Sequence, residues 1–160
     1  MEQHSKSQAN QPLRMELQVQ HWREGKLLFE YRGGDVIGSL GRDLLANRVG
    51  TADAGRVRYI RASALGTGQA APSSGNTKLG SVVYQGTVPF TKSAPTGSFQ
   101  FNRSFSMGST YAMRESALFI GTRKDVLLRG TMYCRGTFPV RNVNSGDTIT
   151  VNYRGGFISG

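Results

Sequence analysis

Residues able to do chemistry are sparse in this sequence. Two histidines, His4 and His21, one cysteine, Cys134, and ten carboxylates spread over 160 residues make up its stock of bases, metal ligands and nucleophiles. General acid–base or nucleophilic catalysis needs at least two such groups to converge with matched proton affinities, and no spacing here predicts convergence. His4 lies in a polar stretch and His21 at the end of an alternating run. Neither has a second His, a Cys or a carboxylate at ligand spacing, so no metal centre is expected. Cys134 stands between Tyr133 and Arg135 in a β-prone run. A neighbouring guanidinium can lower a thiol pKa, but without a His motif the run predicts a small core residue. One cysteine allows no intramolecular disulfide and no Cys-based metal cage, and suits a reducing site of synthesis.

The carboxylates are dispersed. Asp35, Asp43, Asp53, Asp125 and Asp147 mostly neighbour turn residues, where Asp hydrogen-bonds local backbone. Gly66-Thr67-Gly68 superficially invites a phosphate-loop reading. That motif needs further glycines at fixed spacing, a Lys-Ser/Thr pair and a following helix, and the sequence supplies none of them. The expectation is no catalytic residue, no cofactor and no metal, hence no enzyme.

Charge points to partners instead. The net charge is +10, and residues 51–160 carry almost all of it, with thirteen basic against four acidic side chains. Such a field favours an acidic partner: nucleic acid, a membrane surface or an acidic protein lattice. Arg56, Arg58, Arg61, Arg103, Arg114, Arg123, Lys124, Arg129, Arg135, Arg141 and Arg154 are interleaved with Tyr59, Phe101, Phe105, Tyr111, Tyr133 and Tyr153, the composition of a base-stacking, phosphate-gripping surface. Alternation argues against nucleic acid, because it sends the aromatic side chains to the face opposite many of these arginines. No stretch approaches the roughly 20 apolar residues of a membrane span, and residues 1–11 lack the apolar core of a signal peptide. Neither a membrane partner nor export is expected.

The elements that would position these residues are strands. Met15, Leu17 and Val19 alternate with Glu16, Gln18 and Gln20, the period of a half-buried strand. Arg23-Glu24-Gly25-Lys26 supplies a turn, which makes residues 14–31 a hairpin. Ile37, Leu40, Leu44, Leu45 and Arg48 recur at helical spacing and predict one short helix over 40–49, ending before Gly50. A strand is expected over 56–63, a long surface loop over 66–78, and strands over 79–90, 98–105, 112–120, 126–138 and 147–153. Phe99, Phe101 and Phe105 share one parity, as do Ile149, Val151 and Tyr153, so each strand has one face to bury and one to leave wet. Two sheets packed face to face meet that need. The fold class expected is all-β, a jelly-roll-like or two-sheet antiparallel sandwich. A flexible arm over 1–13 would precede a single domain over 14–160, with its main sheets over 56–154. Residues 1–12 contain no Val, Ile, Leu or aromatic residue, so the arm is either a frayed terminus or a tether that orders on a neighbouring subunit.

Four phrases in fixed order resemble one family. They are VQHWREGKLLFE at 19–30, followed by 40–49; IRASALGTGQAAPSSGNTKL at 60–79; YAMRESALFI at 111–120; and VRNVNSGDTITVNY at 140–153, read as a closing hairpin. Together they are similar to small virion proteins of tailed phages, tail-fibre-like or minor structural components, over roughly residues 15–154. The chain departs from that pattern in its basic 126–138 run and its extra arm. The resemblance implies a structural subunit of a virion, made in the host cytoplasm, self-associating, and docked on the major capsid protein or on tail proteins as decoration, cement, fibre or adaptor. Contact would fall on the arm and the long loop, at Glu2, Gln3, Lys6, Gln8, Gln11, Gln69, Ser73, Asn76 and Lys78. A basic nucleic-acid-binding module is the alternative reading, and a carbohydrate-binding receptor module of a fibre the third.

Overall fold

Alternation in the first run sets the architecture. Met15, Leu17, Val19 and His21 are buried on one face of β1 (Arg14–Arg23), while Glu16, Gln18 and Gln20 lie on the other. The chain reverses at Glu24-Gly25, with φ of 50° and 75°, a two-residue turn whose handedness matches the twist of the strands it joins. It returns as β2 (Lys26–Ile37), with a bulge where His21 and Trp22 face Phe29 and Leu27. In the computed structural model the described residues are 14–37, 59–73, 75, 78–88, 90–93, 98–121 and 131–156. The arm over 1–13 and the helix over 40–49 lie outside them.

The other strands are β3 (Tyr59–Gly66), β4 (Val82–Thr87), β5 (Phe90–Ser93), β6 (Ser98–Ser106), β7 (Tyr111–Gly121), β8 (Thr131–Val143) and β9 (Thr148–Gly156). All pair antiparallel, in the order β4-β3-β7-β8-β2-β1-β9-β6-β5. The protein is thus an all-β sandwich. One sheet is β2-β1-β9-β6-β5, the other β4-β3-β7-β8, and they are joined where Val36 and Ile37 of β2 pair with Arg135 and Cys134 of β8.

The core lies between the sheets. Leu17, Val19, Ile149, Val151, Tyr153, Phe101 and Phe105 form one wall, and Leu65, Met113, Leu118, Ile120, Tyr133, Cys134 and Phe138 the other. Burying each large apolar side chain contributes about 1.5–3 kcal/mol relative to leaving it exposed. The parity read for Phe101 with Phe105 and for Ile149, Val151 and Tyr153 holds, and Cys134 is a buried core residue.

Two expectations are corrected. The second sheet does not leave one face wet: Ala62, Ala64, Ala117, Phe119 and Met132 form a second buried cluster on its far side, closed by Leu79. Leu79, expected to open a strand, belongs to the connection between β3 and β4. Residues 140–153 are not a hairpin, because β8 pairs with β7 and β2 whereas β9 pairs with β1 and β6. The turn after Val143 is a corner that carries the chain from one sheet to the other.

Candidate functional site

The loop read as a contact surface is held down by a buried ion pair. Glu115 on β7 and Arg135 on β8 both lie on the far side of the second sheet, with register partners Thr137 and Ala117 one step apart. Arg135 donates from Nη2 and Nε to Glu115 Oε2 at 2.9 and 3.0 Å. The same carboxylate accepts the backbone N–H of Gly68 at 2.9 Å, Gly80 at 3.1 Å and Ser81 at 2.9 Å. Arg135 Nη2 also donates to the carbonyl of Ala70 at 2.7 Å. Both ends of the 67–81 connection are therefore fastened to one charged pair. Burial pushes the Glu115 carboxyl up, but hydrogen bonds from Ser81, Gly80, Arg135 and Gly68 outweigh it and hold the group below the usual carboxylate range.

Within Gly66-Thr67-Gly68 the Gly68 N–H meets the protein's own Glu115 carboxylate, while the Thr67 N–H bonds the Ser81 carbonyl at 3.0 Å. A Cβ at Gly66 or Gly68 would overlap the Glu115 carboxylate, so the backbone approaches only because both residues are glycine. On the fastened loop Gln69, Ser73 and Lys78 are exposed, with Ser73 Oγ accepting the Gly75 N–H at 3.2 Å. Asn76 and the arm residues Glu2, Gln3, Lys6, Gln8 and Gln11 lie outside the described residues.

A second cluster closes the sandwich at the β8–β9 corner. His21 donates from Nε2 to Asp147 Oδ2 at 2.7 Å, and Arg23 grips both oxygens of Asp147 at 2.8 and 2.9 Å. The Asn144 N–H adds a bond at 2.9 Å from within the turn, where Gly146 takes a φ of 89°. Main-chain bonds between Met107 and the turn, both 2.8 Å, attach the β6–β7 link. The Arg23 hydrogen bond above all, then those from Asn144 and His21, hold the Asp147 carboxyl far below its ordinary range against the cost of burial. Arg141 donates to His21 Nδ1 at 3.2 and 3.3 Å and covers the Phe29 ring at 4.4 Å. Arginine only donates, which makes Nδ1 the acceptor and Nε2 the proton carrier.

A His–carboxylate pair is half of a catalytic triad, but here both ring nitrogens are engaged and His21 is buried. The arrangement orders four segments and leaves no nitrogen to activate a nucleophile. His21 has no carboxylate at ligand spacing along the chain; the fold supplies one, Asp147, from 126 residues away. The one trace in the sequence is that His21 and Arg23 share a strand face.

The basic residues are partly used inside the molecule. Arg135 is buried, Arg23 and Arg141 serve the corner, and Arg103 lies over the Phe105 ring at 5.3 Å and donates to the Thr87 carbonyl. Arg103 shares the parity of Phe101 and Phe105, so this arginine and its aromatics are on one face, contrary to the expected separation. Among the described residues no group of three or more His, Cys, Asp and Glu is arranged to hold a metal ion, and no helix is long and apolar enough to cross a membrane.

The central rows of the first sheet's outer face are polar, and beyond them Trp22 pairs with Leu27. Register sets Arg32, Gln18, Asn152 and Asn102 in one row and Glu30, Gln20, Thr150 and Ser104 in the next, flanked by Gly34, Glu16, Arg154 and Gln100. Gln18 and Gln20 donate to Glu30, Asn152 donates to Gln18 at 3.3 Å, and Ser104 bonds Thr150 at 2.9 Å. Within these three rows two acidic and two basic side chains cancel. Comparison of the chain with protein families, with curated proteins and with solved structures finds no match.

Proposed function

We propose that this chain is a non-enzymatic structural subunit of a tailed-phage virion, made in the host cytoplasm and docked on the capsid or the tail, where it stabilises the assembly. The observation that carries the reading is the Glu115–Arg135 staple. It holds the 67–81 connection against the sheet while Gln69, Ser73 and Lys78 project into solvent. A contact surface ordered before docking loses less entropy when it docks. The buried charged groups of both clusters are spent on holding segments together, which suits a scaffold better than a turnover site. The resemblance of the 60–79 and 111–120 phrases to phage virion proteins supplies the setting, since those two phrases contribute the loop and Glu115 respectively.

Gradient-purified particles of the encoding phage test the proposal. The chain should co-sediment with the particle at fixed stoichiometry, and immunogold should mark either head or tail. Recovery solely in the soluble fraction of the lysate overturns it. The neutral rows of amides and hydroxyls on the first sheet favour one second reading, a carbohydrate-binding fibre module. Saturable binding on a glycan array, lost when Gln18 and Asn152 are changed to Ala, would favour that reading over the first.

A further inference from the structure

Antiparallel sheets end in edges, and an edge leaves a row of main-chain donors and acceptors for another strand. Among the described residues, the stretch of β2 from Lys26 to Gly34 pairs with β1 alone; its pairing to β8 is confined to Val36 and Ile37. Leu27 and Leu28 at the start of this stretch are 44% and 45% exposed. At its other end lie Gly33 and Gly34, and a Cβ placed on Gly34 would meet nothing within 4 Å.

Glu30 and Arg32 stand between, on the polar face, with side chains 38% and 64% exposed and 3.6 Å apart. Charges on an edge strand ordinarily prevent pairing. Two opposite charges two residues apart do the reverse once a two-fold axis acts on them.

We infer that the β2 edge is a self-association surface, on which a second copy of this chain adds its own β2 antiparallel about a two-fold axis at Tyr31. The register follows from parity and charge. An axis perpendicular to the sheet keeps both polar faces on one side, so residues directly opposite each other must share parity. Of the registers centred near the middle of the stretch, an axis at Glu30 sets Glu30 against its own copy, and an axis at Arg32 does the same for Arg32. Like charges directly opposite are destabilising. With the axis at Tyr31, Glu30 faces the partner's Arg32 and Arg32 faces the partner's Glu30. The pairing falls within the regular stretch from Phe29 to Gly33, clear of the bulge that sets Leu27 opposite Trp22. The interface is isologous and closes on itself, as a two-fold dimer requires, and it joins the first sheets of the two copies into one. The inference deepens the assembly reading and rests on it only in supposing that the chain self-associates.

Sedimentation equilibrium of the full chain over a dilution series tests it, using Glu30→Arg, Arg32→Glu and the double exchange. Each single variant sets like charges across both pairs and should raise the dimer dissociation constant about tenfold or more. The double exchange should restore it. An equimolar mixture of the two single variants should form a heterodimer tighter than either homodimer, a recovery that an unfolded variant cannot give. A wild-type chain that stays monomeric overturns the inference, with particle docking judged separately by co-sedimentation. An oligomer that neither single variant weakens also overturns it, and leaves self-association to another surface.

Discussion

Glu115 Oε2 lies 2.9 Å from Arg135 Nη2, with both side chains closed to solvent, and the two reach the backbone of the 67–81 connection at Gly68, Ala70, Gly80 and Ser81. Removing one partner of such a pair leaves an uncompensated buried charge and costs about 3–5 kcal/mol. Glu115→Ala and Arg135→Ala should each lower the urea-unfolding free energy by that order. The double variant should cost clearly less than the sum of the two, because it leaves no orphan charge. Amide exchange at Gly68, Gly80 and Ser81 should accelerate in Glu115→Ala before the rest of the chain opens. A single-variant loss below about 0.5 kcal/mol, the size of an ordinary surface change, would refute the staple.

Close approach of the loop to that carboxylate makes glycine necessary at position 68. A methyl group there would run into Glu115 and the Cα of Gly80, and overpacking of this kind costs about 1–3 kcal/mol. Gly75 is the control, since its Cβ would meet only Ser73 Oγ at 3.6 Å, an ordinary contact. Thermal melts should show Gly68→Ala well below wild type and Gly75→Ala near it. Equal melting temperatures for the two would remove the steric argument.

Strand parity was legible in the sequence because a half-buried strand must alternate. Met15, Leu17 and Val19, and again Ile149, Val151 and Tyr153, disclose their buried face without any partner in view. The far side of the second sheet was not legible in that way. Ala62, Ala64 and Ala117 are too small to mark a face, and what closes the cluster is Leu79, from a connection whose other residues are mostly small or polar. Both charged clusters were invisible for a different reason. His21 meets Asp147 across 126 residues and Arg135 meets Glu115 across 20, from the next strand, and nothing in local spacing distinguishes a surface arginine from one that spans a gap. Gly66-Thr67-Gly68 lacks the remaining marks of a phosphate loop, and the sequence carries no sign that its glycines make room for Glu115.

The β1–β2 turn offers a stabilising change. Glu24 holds a φ of 50° and Gly25 one of 75°, and a turn with positive φ at both central residues favours Asn-Gly. Non-glycine residues other than Asn and Asp adopt that conformation at a cost. Glu24→Asn should raise stability by about 0.5 kcal/mol, and Gly25→Ala should lower it by about 1 kcal/mol. Calorimetry of the two variants would then bracket wild type; a lower melting temperature for Glu24→Asn would show that the Glu24 side chain makes a compensating contact.

Acid should unfold this protein through two identified groups. Asp147 and Glu115 are both held below the ordinary carboxylate range in the folded chain, Asp147 chiefly by Arg23 and Glu115 by the loop amides and Arg135 against its burial. A group whose folded pKa lies below its unfolded one binds more protons in the unfolded chain. Its contribution is therefore complete above the unfolded carboxylate range and is lost as the pH falls through and below it. Stability measured by urea titration should be level between pH 7 and about pH 5 as far as these two groups decide it, and should fall steadily below that. Asp147→Asn keeps an acceptor for His21 and Arg23 but carries no charge to protonate. It should be less stable than wild type at pH 7 and should lose less between pH 5 and pH 3, so that the two curves converge in acid. Parallel curves over that window would mean that Asp147 is not held by its partners in solution as it is in the structure.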